Sequence, residues 1–573
     1  MSCRASSFAS LISQYRAGFF LLGETMVFHI LRSIIILICV TSCNSYSRLA
    51  ADPVLVVAEV QRDQGRSLQL DAARHFQILE RLTPFQMAGF DEQPYYQVAN
   101  PEGFEQRGGL VYFPASGQLQ VGRFWTVAGP EVFEKFMTFL TDARGEGAIV
   151  VGDEFRKSIT VKPTGGKPAP GKPIVSWADI FVRYDDGLIT ISSSREILTT
   201  SSISSVMKQV KQAIGKDWYL WAGNENLSAS DRKLILTALE THYGVSRQRR
   251  DSESDEAFQR RREEIDGLLR LVELLLFDLE QIEAWYVAPT EAKSFRASLQ
   301  LTTKKGSQFQ KILKQTVLGG SLPSPATDAS IGHFGVSMKV PEDFRALVAS
   351  YLLQPLAEEN PLRALVATMS KDGQVRCRAD IGTTEVGQPA VKGTFQFMDA
   401  APKLSAAMTM EVAGVPMQLF SLQQVYFQFR DPEMDFVLTN STTGQSSSFV
   451  LNESSDWIRG TLAYISLDLA KIRQWEDKGE AEKFVTSLER AWHMMFLRHR
   501  LPIQFAAVDT TRRGEGFHPL MYQFLDAGDW HINCEAKIDA NRLSISCDMG
   551  SELYQWYVAR QLLNNSALLR FFM

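Results

Sequence analysis

Several features that mark common functional classes are scarce in this chain. Only six of its 573 residues are cysteine, and three of those six precede residue 51. The three that remain, Cys377, Cys534 and Cys547, are too few and too widely spaced for a disulfide scaffold or a zinc finger. Basic residues are not in excess either, since 60 Lys and Arg against 65 Asp and Glu give a net charge of −5. We therefore expect no nucleic-acid partner.

Motifs for catalysis and metal binding are also missing. The sequence has no GxSxG nucleophile elbow, no HExxH motif and no EF-hand loop. His493 and His499 lie on one predicted helix, but six residues place them about 240° apart around its axis, so they cannot bind one metal ion. We predict no catalytic, metal-binding or cofactor-binding residues, no cofactor, and a protein that is not an enzyme.

The N-terminal region carries the clearest pattern in the sequence. The apolar run from Ile34 to Val40 follows Arg32 and precedes small and polar residues, an order typical of an export signal. The run is too short to span a bilayer, which needs about 20 apolar residues. We interpret residues 1–51 as a signal region whose true start is Met26. The mature chain is then extracytoplasmic, in the periplasm, at the cell surface or secreted.

Two routes of signal processing remain open. Leu49, Ala50 and Ala51 offer small residues for ordinary signal-peptide cleavage. Residues 40–43 (VTSC) resemble the lipobox of bacterial lipoproteins, in which Cys43 would receive the lipid and become the new N-terminus. A lipid on Cys43 would tether the N-terminus to a membrane without spanning it.

The body of the chain has the composition of a globular protein, with 45% apolar and 22% charged residues. Short stretches that alternate apolar and polar residues, such as GGLVYF and VRCRADI, predict strands, and several of them are followed by a helical pattern. Short turns between neighbouring strands favour antiparallel pairing. The predicted class is α+β, with helices packed on one face of antiparallel sheets.

A weak internal repeat divides the body into two parts. Gly306-Ser307 and Gly550-Ser551 each follow a predicted strand and open a predicted helix, at an offset of 244 residues. FVRYDDGLITIS and FQFRDPEMDFVLTN match at a similar offset, as do Asp217-Trp218 and Asp456-Trp457. We predict two tandem related modules, residues 52–328 and 329–573.

The first module contains two further segments. Residues 162–173 (KPTGGKPAPGKP) form a predicted inserted loop, since Pro and Gly disfavour helix and strand. Residues 247–264 are a charge run that enters a helix, and from Ile265 to Ile282 apolar residues recur at helical spacing. A core helix is favoured over a coiled coil because the pattern lasts less than three heptads.

Residues 530–549 predict a β-hairpin. If the turn centres on Ala540-Asn541, every apolar residue of WHINCEAKID faces an apolar residue of NRLSISCDM, and Cys534 lies opposite Cys547. The pair would be a non-hydrogen-bonded one, with Cα atoms about 4.5 Å apart. We predict a disulfide between Cys534 and Cys547 where oxidation permits; two neighbouring free thiols are the alternative.

The pattern as a whole resembles uncharacterised exported bacterial proteins built from duplicated hairpin-and-helix modules. The residues that carry this resemblance are the signal at 26–51, the GS helix starts at 306 and 550, and the runs YISLDLAKI and MKVPEDFRAL. The resemblance implies export and duplication, and it implies no catalytic residue.

Three functional hypotheses are consistent with the sequence. The leading hypothesis is a non-enzymatic envelope protein, exported or surface-tethered, that serves as a binding or structural platform for an unknown ligand or a protein partner. The second is an extracytoplasmic hydrolase with an unrecognised site between the two modules. The third is an assembly or chaperone-like factor that binds extended partners at open sheet edges.

Overall fold

The fold was analysed in a computed structural model. It describes residues 53–60, 104–115, 118–127, 129–136, 149–153, 158–162, 180–185, 187–192, 198–244, 247–249, 253–287, 294–317, 331–346, 373–383, 389–396, 408–412, 415–420, 425–430, 433–439, 461–475, 478–479, 481–482, 485–486, 521–526, 528–539 and 541–556. The signal region with Cys43, loop residues 163–173, and His493 and His499 lie outside the described residues.

The described strands form one antiparallel sheet of 20 strands. The first ten are β1 (Leu55–Val60), β2 (Phe104–Ala115), β3 (Gln118–Val127), β4 (Ile149–Asp153), β5 (Ser158–Lys162), β6 (Ile180–Asp185), β7 (Leu188–Ser192), β8 (Trp218–Gly223), β9 (Leu279–Val287) and β10 (Phe295–Thr303). The others are β11 (Gly332–Lys339), β12 (Gln374–Thr383), β13 (Pro389–Gln396), β14 (Met408–Val412), β15 (Val415–Phe420), β16 (Val425–Arg430), β17 (Glu433–Thr439), β18 (Thr461–Asp468), β19 (His531–Asp539) and β20 (Arg542–Met549).

The order of neighbours in the sheet follows from the strand pairs. It runs β4-β5-β6-β7-β3-β2-β1-β8-β9-β10, continues from β10 to β20, and then runs β20-β19-β18-β11-β12-β13-β17-β16-β15-β14. The tenth and twentieth strands are therefore neighbours at the centre. Their register places Gln300 opposite Ser544, a pair separated by the same 244 residues as the two GS helix starts.

Helices connect these strands. They are α1 (Thr200–Gln212), α2 (Ala229–Gly244), α3 (Asp255–Asp278), α4 (Gln308–Thr316) and the single turn α5 (Met521–Phe524), with short 3-10 helices at Asn224–Asn226 and Leu469–Gln474. Residues 130–136, 342–346 and 551–556 are also helical. Among the helices that the structure describes, none combines the length and the apolar character needed to cross a membrane.

Local sequence signals explain where the helices begin. Thr199, Ser254 and Ser307 are the N-caps of α1, α3 and α4, and each side-chain oxygen accepts a hydrogen bond from the backbone N–H three residues later. These bonds satisfy N–H groups that have no partner inside the helix. The Ser307 cap is the serine of the predicted GS helix start, and residues 551–556 are helical at the second one.

The prediction that helices pack on one face of the sheet is wrong. Leu55 and Val57 of β1 pack in the core with α3 and α4, whereas Val56 and Ala58 pack with α1. Because successive side chains of a strand point to opposite faces, α1 covers the face opposite α3 and α4. A strand with apolar residues at both odd and even positions needs cover on both faces, and VLVVAEV is such a strand.

The charged segment 247–264 does lead into a helix, which starts at Asp255. Its apolar residues lie in the main core, so α3 is a core helix and not a coiled-coil partner. The predicted extent was too long: α3 ends at Asp278, and Leu279 and Ile282 belong to β9. Both residues still pack in the same core, which is why the apolar pattern continues past the end of the helix.

The predicted hairpin at 530–549 is confirmed with its register. Ile538 pairs with Leu543, Ala536 with Ile545, and Cys534 with Cys547. The N–H of Gly550 donates to the carbonyl of His531 at 2.8 Å, so this opposed pair is hydrogen-bonded. Since the two pair types alternate along an antiparallel ladder, Cys534 and Cys547 form a non-hydrogen-bonded pair, as predicted.

Candidate functional site: the polar face of the central sheet

The central strands β9, β10, β20, β19, β18, β11 and β12 carry a polar surface opposite their core side. On β19, Ile532 and Ile538 are in the core, while the alternating residues between and beside them are polar: His531, Asn533, Glu535 and Lys537. The same alternation on β10 and β20 places serine, glutamine and aspartate beside these residues. We call this side of the seven strands the polar face.

Polar residues on neighbouring strands line up in one row across the face. Each residue of the row lies opposite the next in the strand pairs, and in order they are Arg296, Asp548, Asn533, Ser466, His333 and Asp380. Six strands with a spacing of about 4.8 Å give a row about 24 Å long. Arg296 and Asn533 are exposed, so part of the row is open to solvent.

At one end of the polar face an ion pair packs against two aromatic rings. Lys216 Nζ lies 2.9 Å from Glu283 Oε1, and it lies 4.3 Å from the ring centroid of Tyr219 and 5.6 Å from that of Trp285. The Tyr219 hydroxyl donates to Gln212 Oε1 at 2.9 Å, which attaches this end of the face to α1. Burial, with a smaller contribution from the Glu283 carboxylate, raises the pKa of Tyr219, so its hydroxyl stays protonated.

His531 is held between two carboxylates at the edge of the row. Its Nδ1 lies 2.5 Å from Asp529 Oδ1, and its Nε2 lies 3.3 Å from Asp548 Oδ1. Partial burial lowers the pKa of His531, but the hydrogen bonds and charges of Asp529 and Asp548 outweigh it, and the net pKa is raised. Both ring nitrogens contact carboxylates, an arrangement that favours the protonated imidazole.

A second cluster surrounds Arg378 on β12. Its neighbours Cys377 and Ala379 are in the core, so Arg378 points to the polar face, where its side chain is only 3% exposed. Arg378 Nη2 lies 3.3 Å from Asp380 Oδ2. Gly335 lies directly opposite Arg378 on β11, and Tyr464 lies opposite Gly335 on β18.

His333 and Tyr464 make an edge-on ring contact in this cluster, with centroids 5.4 Å apart. Burial lowers the pKa of His333, and the charges of Arg378 and Lys471 lower it further, so this imidazole is neutral near pH 7. Burial raises the pKa of Tyr464 to about 12, where Asp380 adds to the effect and Arg378 opposes it. The cluster thus presents one guanidinium beside two neutral hydrogen-bonding side chains.

The cysteines predicted to form a disulfide lie on the core side of the same strands. Cys547 is buried, Cys534 is half-buried, and both are free thiols. The hydrogen bond that the Cys547 thiol makes to Cys534, together with burial, raises the pKa of Cys547. The disulfide stays a prediction. In the part of the chain that the structure describes, no group of three or more His, Cys, Asp or Glu side chains is placed to hold a metal ion.

The sequence analysis missed the residues that now define the site. His531, Arg378 and Asp380 were passed over because each lies in a strand that alternates apolar and polar residues, which is also the pattern of an ordinary solvated sheet face. A usable signal was present in HINCEAKID, whose polar positions all carry hydrogen-bonding or charged groups. Only the strand order shows that such positions from seven strands form one surface.

Comparison with known proteins adds no relative to this picture. No protein-family model matches the chain, and no curated protein or solved structure has significant similarity to it.

Proposed function

We propose that this protein is an exported or surface-tethered, non-enzymatic binding platform whose polar face holds a ligand or a protein partner in the cell envelope. The observation that carries the proposal is the continuous row of six polar residues across the central strands. A long row of donors and acceptors at regular spacing suits an extended polar ligand better than a small substrate in a closed pocket.

The platform is built, in this proposal, from two tandem related modules, residues 52–328 and 329–573. Support comes from the strand order, because every strand pair within β1 to β10 recurs within β11 to β20 with both strand numbers raised by ten. For example, β1 pairs with β2 and β8, and β11 pairs with β12 and β18; β3 pairs with β7, and β13 pairs with β17. A duplicated unit whose last strand pairs with its own copy would give such a sheet, in the way that a two-fold dimer interface pairs equivalent elements.

The junction between the modules favours the platform over a hydrolase with a site between them. Strands β10 and β20 pair directly from Phe295 and Met549 to Thr302 and Arg542, so the sheet continues across the junction. The core below it is also shared, since Leu299 of β10 and Leu543 and Ile545 of β20 pack in one cluster. A screen of esters, glycosides, phosphates and peptides tests the hydrolase; turnover abolished by one substitution would support it.

The assembly-factor alternative depends on open strand edges. Among the described strands, β4 and β14 have a single partner each, and both have five residues. Edges this short offer few backbone groups to an extended partner. The platform hypothesis predicts that a partner binds at the polar face and not at these edges.

Accessibility labelling in the producing cell tests both the location and the surface. Arg296→Cys and Asn533→Cys place thiols at exposed positions of the polar face, and Ile214→Cys places one off the face at a side chain that is 71% exposed. Each variant is treated with a membrane-impermeant maleimide in intact cells and again after purification. The unsubstituted protein measures the labelling of the three native body cysteines.

The platform predicts that the Ile214→Cys thiol reacts in intact cells while the two polar-face thiols are protected, and that all three react after purification. If all three react in intact cells, the protein is exported but its polar face is unoccupied, which contradicts the binding role. If none reacts until the cells are lysed, export itself is contradicted.

A further inference from the structure

Arg378 is a buried cation of the polar face with few hydrogen-bond partners. Its side chain is 3% exposed, yet Nε and Nη1 have no hydrogen-bond partner among the residues that the structure describes. The contact of Nη2 with the Asp380 carboxylate is 3.3 Å long. By comparison, the half-buried Arg261 guanidinium binds both oxygens of Glu253 at 2.6 and 2.9 Å. A buried donor without a partner is costly, and such groups in folded proteins generally mark an ion, a water or a ligand that completes them.

The surroundings of Arg378 favour an anion as that missing partner. Arg376 points to the same face two residues away, and Lys471 is near enough to lower the pKa of His333. The hydrogen-bonding side chains of His333 and Tyr464 are on the neighbouring strands of the same face. A planar guanidinium presents parallel N–H pairs, either Nε with Nη2 or Nη1 with Nη2, and such a pair matches the two oxygens of a carboxylate or phosphate group.

The cluster borders a side chain that is partly exposed to solvent. The Asp380 side chain is 22% exposed, and Asp380 lies at the end of the polar row, opposite His333. Gly335, between Arg378 and Tyr464, contributes no side chain that would fill the space between them.

We propose that Arg378 anchors a binding site for an oxyanion, a carboxylate or phosphate group carried by the ligand of the polar face, with Tyr464 and His333 as additional hydrogen-bonding groups. This inference rests on the proposed platform function, since it names the chemistry of the ligand on that same surface. Asp380 would remain the partner of one N–H of Nη2, and the oxyanion would accept from Nε or Nη1 together with the second N–H of Nη2.

The test follows the Arg378 side chain directly in the full-length mature protein. Nitrogen NMR of the arginine Nε–H groups is recorded during separate titrations with inorganic phosphate and with acetate, at constant ionic strength maintained with sodium chloride. Arg378→Lys assigns the resonance and removes the two-pronged contact while keeping the charge. Arg261→Lys, at an arginine of α3 that is already paired with Glu253 and is not on the polar face, is the matched control.

The proposal expects a saturable shift of the Arg378 resonance that is unchanged in Arg261→Lys. Isothermal titration calorimetry with the same anions should show binding weakened by about tenfold or more in Arg378→Lys. Saturation by phosphate alone identifies a phosphate-bearing ligand, and saturation by acetate alone a carboxylate-bearing one. If neither anion moves the resonance, an ordered water completes Arg378 and the proposal is wrong. If Arg378→Lys does not fold, the wild-type titration still decides.

The two proposals can fail separately. Protection of the polar-face thiols in cells together with an unresponsive Arg378 would retain the platform and reject the oxyanion site. A responsive Arg378 with unprotected thiols would retain the anion site and reject an occupied platform.

Discussion

Oxidation of the Cys534–Cys547 pair should staple the central hairpin. The two cysteines are directly opposed on β19 and β20 at a non-hydrogen-bonded position, where the Cα atoms are about 4.5 Å apart, at the short end of the range that a disulfide spans. Closing a loop of about 15 residues lowers the entropy of the unfolded chain by an amount worth about 3 kcal/mol at 25 °C. Relative to the reduced protein, the oxidised protein should gain up to that amount in the free energy of unfolding.

The reaction has a predicted order. Cys534 is half-buried and Cys547 is buried with a raised pKa, so a disulfide oxidant should first react with Cys534. This reaction gives a mixed disulfide between Cys534 and the oxidant. The Cys547 thiolate then attacks the Cys534 sulfur, closes the intramolecular bond and releases the oxidant in its reduced, thiol form. Because the Cys547 thiolate is scarce, this second step should be slow and should accelerate as the pH rises.

The assay combines mass spectrometry with amide hydrogen exchange. Oxidised dithiothreitol supplies the disulfide, and peptide mapping should find the Cys534–Cys547 bond with Cys377 still free. Exchange within β19 and β20 should slow in the oxidised protein and not in a Cys534→Ser control treated in the same way. Two free thiols after prolonged oxidation of the folded protein, or a bond that involves Cys377, would refute the reasoning.

Three further predictions concern the core, the His531 ion pairs and the signal. Leu299→Ala truncates a side chain that is 7% exposed in the shared core and should lower the free energy of unfolding by about 2–5 kcal/mol. Gln300→Ala, on the opposite face, should change the free energy of unfolding by no more than about 0.5 kcal/mol. Similar denaturant midpoints for the two variants would contradict the assignment of faces. The raised pKa of His531 means that its stabilising contribution is present below the unfolded pKa near 6.5 and is lost as the pH rises through the higher folded pKa. His531→Gln should therefore destabilise the protein more at about pH 5.5 than at about pH 8.5, and a cost that is equal at both would contradict the ion pairs. The mature N-terminus should lie at or after Cys43, and an intact Met1 or Met26 in the isolated protein would exclude export.

Local features of the fold could be predicted from the sequence. The register of the 530–549 hairpin follows from apolar alternation in two adjacent segments and a two-residue turn, and the structure has that register. An Asp-Gly pair in a sequence favours a hairpin turn, and Gly187, just before β7, has a φ of +77°, which glycine adopts without strain. In each case the interacting residues are close in sequence, so few alternative pairings compete.

The order of strands could not be predicted in the same way. The pairs β1–β8, β3–β7 and β10–β20 join segments that are far apart in sequence. The backbone N–H and C=O groups of each of these strands could equally have paired with the edge of another strand. Cover on both faces of β1 was missed for the same reason, since the sequence does not indicate which helix covers which face. The choice depends on packing across the whole sheet.

The Arg378 cluster was hidden for a different reason. VRCRADI reads as an exposed face of alternating charged residues, which is the usual environment of arginine in a strand. Burial of Arg378 depends on neighbouring strands, with Gly335 on one side and Thr394 on the other. A single sequence carries no signal that distinguishes this arginine from the exposed Arg296.

The continuous polar face requires that β10 and β20 pair in the register described, and a designed crosslink tests this most directly. Thr303 N–H donates to the Asn541 carbonyl at 2.8 Å, so the alternation makes Ser298 and Ser546 a non-hydrogen-bonded pair. In a Cys534→Ala, Cys547→Ala background, Ser298→Cys with Ser546→Cys should form a disulfide that still joins β10 to β20 after the chain is cut between residues 317 and 331. The offset pair Ser298→Cys with Ser544→Cys should not. If both pairs crosslink equally, or if Ser298→Cys with Ser546→Cys does not crosslink, the continuous sheet on which the platform proposal depends is contradicted.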